Sequence, residues 1–129
     1  MVVDDDRDVL VTTKLMLERI GYQVHAFHDA ASALKHVKDN EGCKDCTITI
    51  SDIKMSEMTG LELARYLKQA RPQMKVVLMT SFPIRKEEWR KVLPSTGIDD
   101  FITKPFSLEE IADVIIKCGR DHLHQFNGR

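Results

Sequence analysis

Residues 2–21 read "VVDDDRDVLVTTKLMLERIG", and the reading of this stretch decides the fold. Two β-branched residues stop at three consecutive carboxylates, Asp4, Asp5 and Asp6, and an amphipathic run follows at once. Val9, Leu10, Thr13, Leu17 and Ile20 fall near one helical face, with Asp6 as N-cap and Gly21 as the stop. A strand therefore passes directly into a helix across a knot of negative charge. Two unit charges 4 Å apart at an effective dielectric of 20 repel by roughly 4 kcal/mol. A folded domain that keeps such a cluster must neutralise it.

The same alternation continues along the chain. "YQVHAF" (22–27) sets Tyr22, Val24 and Ala26 against Gln23, His25 and Phe27, a strand. "DAASALKHVK" (29–38) reads as a helix capped by Asp29, and "TITIS" (47–51) as a short strand ending at Asp52. In "GLELARYLKQA" (60–70) Leu61, Ala64, Leu67 and Ala70 recur at helical spacing before Pro72. "KVVLMTS" (75–81) has the composition of a buried strand. "KEEWRKVL" (86–93) is a weaker helix ended by Pro94, and "DDFIT" (99–103) is the last strand. The last helix, "SLEEIADVIIKCG" (107–119), opens with a capping box, Ser107 and Glu110, and is expected to stop at Gly119. Five strand–helix alternations with short connections predict an α/β fold: an open, doubly wound parallel sheet with helices on both faces.

The chain has 129 residues, 43% hydrophobic and 30% charged, with a net charge of −1. One ordinary domain is expected, with no basic field for direct nucleic-acid binding. No apolar run reaches the ~20 residues that span a bilayer, and no leader pattern is read at the start. Three cysteines are too few for a disulfide framework and point to a cytoplasmic protein.

In an open parallel sheet, ligands bind beyond the carboxyl ends of the strands. The first strand ends in Asp4, Asp5 and Asp6, the third in Asp52, the fourth in Thr80 and Ser81; the fifth runs into Lys104 and Pro105. Carboxylates from two strands form a hard-oxygen site suited to Mg²⁺, which also accepts waters and a phosphate oxygen. A hydroxyl and an ammonium facing that ion suit a phosphoryl group, one as hydrogen-bond donor and one as point charge. A divalent cation would then neutralise the opening carboxylates.

"VVDDD", "SDIKMSEMTG", "VVLMTSF" and "DDFITKPF", in that order and spacing, resemble the receiver domain of two-component response regulators, in the chemotaxis-response-regulator-like superfamily. The resemblance implies a flavodoxin-like three-layer sandwich with strand order 2-1-3-4-5. It covers residues 1–118 as the receiver domain, leaving 119–129 as a polar tail or linker. It also implies roles. Asp52 is the phospho-acceptor; Asp5 serves Mg²⁺ directly and Asp4 through water, and the backbone carbonyl of Lys54 is a further ligand. Thr80 bonds the phosphoryl oxygen, and Lys104 pairs with the phosphate next to a cis bond to Pro105. Thr80 and Phe101 form the switch, Phe101 moving inward as Thr80 is drawn to the phosphate. The phosphoryl group comes from a sensor histidine kinase, a phosphotransfer protein or a small phosphodonor. The chain acts mainly as a regulatory phospho-acceptor that catalyses at most its own phosphorylation and dephosphorylation. A face built from the fourth predicted helix, the fifth strand and the fifth helix is where a homodimer is expected.

Several positions depart from that pattern. Only Met1, Val2 and Val3 precede the acidic run, Thr47, Thr49 and Ser51 make the third strand polar, and Ser56 stands where proline is common. Lys54 and Phe82 flank the acceptor where the family tunes phosphate lifetime.

Other readings stay open at this level. Asp6 serves as helix cap or metal ligand, and Phe101 as core or switch. Cys43 and Cys46 are inert thiols, a redox pair or half of a zinc site completed by Cys118, His122 and His124. A haloacid-dehalogenase-type phosphatase would use Asp4-x-Asp6, but Asp8 is wrong for its motif. A flavodoxin-like FMN module lacks its hydroxyl- and glycine-rich phosphate loop here. A degenerate receiver would bind partners without phosphorylation.

Overall fold

The period-two alternation of side chains along each strand sorts the apolar residues into two separate cores, one on each face of the sheet. The computed structural model describes residues 1–39, 47–81, 87–88 and 97–127, with side chains as far as 118. Its strands are β1 (Val2–Val3), β2 (Ala26–Phe27), β3 (Ile48–Asp52), β4 (Lys75–Thr80) and β5 (Asp100–Thr103). They form one parallel sheet in the order β2-β1-β3-β4-β5. The helices are α1 (Arg7–Arg19), α2 (Ala30–Asp39), α3 (Gly60–Ala70) and α4 (Leu108–Asn127).

Val3, Val76, Leu78 and Phe101 face α2 and α3, where Ala33, Leu34, Leu63 and Leu67 meet them. Val2, Ile50, Val77, Met79 and Ile102 face the other way, onto Leu10 and Leu17 of α1 and Ile111, Ile115 and Cys118 of α4. This is the doubly wound, three-layer α/β sandwich expected, with the strand order that the resemblance implied. No helix among the described residues is long and apolar enough to cross a membrane.

Local chemistry fixes the element ends. Asp6 caps α1, its Oδ1 accepting from the N–H groups of Asp8 and Val9 at 3.0 and 3.3 Å. At the other end Gly21 N–H donates to the Glu18 carbonyl and Tyr22 N–H to that of Leu17, both at 3.0 Å. That pair of bonds is a Schellman motif, and Gly21 supplies the positive φ of 101° it requires. Asp29 caps α2 through Ser32 N–H at 2.6 Å. The Ser107–Glu110 capping box forms in both directions, at 3.1 and 3.2 Å. The polar residues of β3 are also accounted for. Buried Thr49 donates to Met74 Sδ at 3.0 Å, and Ser51 to the Asp52 carbonyl at 3.0 Å.

Three sequence expectations need correction. β2 is two residues long, not six, and Tyr22 is exposed, because an edge strand pairs on one side only and ends where β1 ends. On α3 the buried face is Gly60, Leu63, Ala64 and Leu67, so Leu61 (38% exposed) and Ala70 turn outward. Two residue sets at spacings of three and four exist there, and the sheet selected the one rotated by about one position. Lastly, α4 does not stop at Gly119 but runs on to Asn127. A glycine inside a helix is unfavourable by only ~1 kcal/mol relative to alanine, and no proline follows it.

Of the helix expected over 86–93, only Glu87 and Glu88 are described, both helical. Cys43, Cys46, Phe82, Trp89 and Pro94 lie outside the described residues, as do the side chains of His122 and His124.

Candidate functional site

Parallel strands deliver their carboxyl ends to one edge of the sheet, and backbone hydrogen bonds carry that alignment past the formal strand ends. Asp4 N–H donates to the Phe27 carbonyl (3.1 Å), Ile53 N–H to Met79 (3.1 Å) and Lys104 N–H to Thr80 (2.7 Å). These bonds, rather than sequence proximity, gather residues about a hundred positions apart. Asp4 is fully buried. Its Oδ1 accepts from Asp6 N–H at 2.9 Å and its Oδ2 from the Lys104 ammonium at 2.8 Å. The same ammonium lies 3.1 Å from Asp52 Oδ1. Asp5 is exposed at the rim, and one carboxylate oxygen from each of Asp4, Asp5 and Asp52 lies within 4.8 Å of the others. The Lys104–Pro105 peptide bond is cis, as expected.

The electrostatics follow from this packing. Burial pushes the Asp52 carboxyl above its ordinary value; Lys104 opposes the rise, while Asp4 and Asp5 add to it. For Lys104, burial alone would lower the pKa, but hydrogen bonds and charge from Asp4 and Asp52 outweigh it and leave it raised. The ammonium therefore stays charged, and the Asp52 carboxylate is more basic than an exposed one.

The donor set fits a small hard cation. Mg²⁺ takes oxygen ligands at ~2.1 Å and keeps several waters. Exposed Asp5 and half-buried Asp52 have free edges for it, whereas Asp4 spends one oxygen on a backbone N–H and one on Lys104. Asp4 thus suits a water-mediated role. Asp6 belongs to the α1 cap and is not among the clustered carboxylates. Lys54 sits two residues past Asp52, its side chain exposed, on the connection from β3 to α3.

Thr80 is 2% exposed and lies at the end of β4, one residue beyond Met79, the register partner of Asp52. Phe101 stands beside Leu78 on β5 and is already buried, at 6% exposure, in the α2–α3 core. Strand alternation turns Phe101 into that core. Gly60 packs the start of α3 against Asp52, a contact that the sequence reading assigned to no residue although the glycine closes the stretch "SDIKMSEMTG". A further local signal is a glycine as first helical residue behind an already competent cap, Thr59. A groove of about 530 Å³ runs beside Lys104, between Val9, Thr12 and Met16 of α1 and Pro105 and Phe106.

Comparison with known proteins agrees with this geometry. The family model for the response regulator receiver domain matches residues 1–116. The chain is 30% identical over 112 residues to the alkaline phosphatase synthesis transcriptional regulatory protein PhoP of Bacillus subtilis, covering 86% of this chain and 44% of that protein. It is 33% identical over 111 residues to the heme response regulator HssR of Staphylococcus epidermidis, with 86% and 46% covered. The chain thus spans less than half the length of these relatives. Among solved structures, a CheY-like response regulator receiver domain protein from Methanospirillum hungatei superposes with a TM-score of 0.82 at 27% identity, over 96% of this chain and 94% of that one. The chemotaxis protein CheY4 of Vibrio cholerae shares the fold, with a TM-score of 0.77 at 21% identity over 91% and 94%.

Proposed function

The chain belongs to the response regulator receiver domain family, and from that premise we propose that Asp52 is the phospho-acceptor of its signalling reaction, served by Lys104, Thr80 and a Mg²⁺ ion at Asp4, Asp5 and Asp52. The observation that carries this reading is the Lys104 ammonium bridging Asp4 and Asp52 at 2.8 and 3.1 Å beside the third carboxylate. Asp52 Oδ attacks the phosphorus of a phosphohistidine, or of a small phosphodonor. The P–N bond breaks and its electron pair returns to the imidazole. Lys104 compensates charge on the transferring oxygens and Thr80 offers them its hydroxyl. Asp4, Asp5, Asp52 and the Lys54 carbonyl would hold Mg²⁺, which would supply further charge neutralisation there.

The donor is a histidine kinase or phosphotransfer protein, and the groove along Val9, Thr12 and Met16 gives such a partner an apolar seat beside Lys104. Thr80 and Phe101 couple the phosphate to the rest of the sheet. With Phe101 already inside, phosphorylation acts by favouring this arrangement over others, a shift in population. A homodimer would use the β5–α4 face.

A dehalogenase-type phosphatase is not favoured: its nucleophile would be Asp4, which is fully buried with both oxygens engaged. A degenerate receiver is disfavoured by the complete acceptor, acid and lysine set. The test is Mg²⁺-dependent labelling by acetyl phosphate. Wild type should incorporate phosphate and Asp52→Asn should not; equal labelling of both removes Asp52 from the role.

A further inference from the structure

We infer that Gly60 is a positioning residue for the phosphorylation site: its missing side chain lets the start of α3 close onto Asp52 and so fixes the acceptor and the Lys54 segment against Lys104. The inference rests on the phospho-acceptor reading above and adds a residue that touches none of the reacting atoms.

A Cβ on Gly60 would overlap the backbone carbonyl oxygen of Asp52 and would stand 3.0 Å from Leu78 Cδ2 and 3.1 Å from the Ile53 Cα. Gly21 and Gly97, by contrast, have open space at the same position. Gly60 N–H also donates to the Ile53 carbonyl at 2.8 Å, closing the loop that contains Lys54. On its other side Ile53 is held by Met79, through the 3.1 Å bond from its N–H. The Asp52–Ile53 unit is thus clamped between β4 and the first turn of α3.

The parts around an added methyl cannot yield by changing rotamer. Two of the three contacts are backbone, and the third belongs to Leu78, which is fully buried. α3 itself is anchored by Leu63, Ala64 and Leu67, all fully buried. Lys104 is tied independently, by its N–H to Thr80 and its ammonium to Asp4. The displacement therefore falls on Asp52 and the loop behind it, relative to a lysine that stays put. Hydrogen bonds weaken steeply with such displacement, and a 1 Å misplacement at a reacting centre slows reaction by up to ~10²-fold.

The experiment compares wild type, Gly60→Ala and Leu67→Ala, the last loosening the same helix without approaching Asp52. Mg²⁺ affinity is measured by titration calorimetry, labelling by acetyl phosphate is expressed per folded molecule from circular dichroism, and the Ile53 and Lys54 amides are followed by NMR. Gly60→Ala should bind Mg²⁺ more weakly, label at least ~10-fold more slowly and shift both amides. Leu67→Ala should melt lower yet keep wild-type affinity and per-molecule labelling. Wild-type affinity and labelling in Gly60→Ala overturn the inference, whatever its melting temperature. Should that variant not fold, a glycine inserted between Thr59 and Gly60 opens the joint without adding a side chain, and unchanged affinity and labelling there overturn it equally. If wild type itself takes no label, the phospho-acceptor reading fails rather than the role of Gly60.

Discussion

Replacing Lys104 by methionine isolates what holds the acidic cluster together without metal. Methionine keeps much of the stem volume and removes the ammonium, so buried Asp4 loses the partner of Oδ2 and keeps only Asp6 N–H on Oδ1. Removing one member of a buried ion pair costs about 3–5 kcal/mol, because the other charge is left uncompensated. The Lys104 side chain is 16% exposed, so water relieves part of that penalty and the lower end, about 3 kcal/mol, is expected. For a domain of this size that is a fall of roughly 10 °C in melting temperature. The pH dependence has a definite sign. Lys104 has a raised pKa, so its contribution is whole at neutral pH and is lost only as pH rises through a value above the ordinary lysine range. In the variant, acid protonates Asp52, whose carboxyl burial holds above its ordinary value, so the gap to wild type should narrow as pH falls toward 4. Mg²⁺ should close the gap as well, since a divalent cation can replace the missing charge. The assay is thermal unfolding by circular dichroism at pH 7 and pH 4, with and without millimolar MgCl₂. A deficit indifferent to both pH and Mg²⁺ would show that Lys104 stabilises by packing alone and would refute the electrostatic account.

Three further outcomes follow from the same geometry. Because burial raises the Asp52 pKa, the folded state favours its protonated form, a contribution present below the unfolded pKa and lost as pH rises through the folded one. Metal-free Asp52→Asn should therefore melt no lower than wild type at pH 7, the two converging near pH 4; a clearly lower melting point at pH 7 contradicts this. Asp6→Ala should cost ~1 kcal/mol as a lost cap and leave Mg²⁺ affinity unchanged, as calorimetric titration can check; weakened binding would make Asp6 a ligand. Asp99 accepts from Val76 N–H and the Lys68 ammonium, both at 2.7 Å, so Asp99→Ala should lower the unfolding free energy by ~2 kcal/mol in urea titration, with labelling by acetyl phosphate retained.

Short-range chemistry specified the features that could be read directly from the chain. Strand and helix alternation, the caps at Asp6, Asp29 and Ser107, and the Gly21 stop depend on neighbours a few residues apart, so local pattern was enough to read them. The carboxylates, Thr80 and Lys104 were legible as strand-end residues because a parallel sheet sends every strand end to one edge. Tertiary structure decided the rest. Which of two helical stripes on α3 is buried depends on how that helix rolls on the sheet, and so Leu61 turned out exposed. The length of β2 depends on its neighbour β1, and the extension of α4 past Gly119 on the absence of any stronger stop. That Asp4 rather than Asp5 is buried, and that one ammonium serves both Asp4 and Asp52, required the register of four strands. The burial of Phe101 and the close approach of Gly60 to Asp52 are likewise distances between segments far apart in the chain. No periodicity encodes such distances, because they are set by how two faces pack and not by what either face contains.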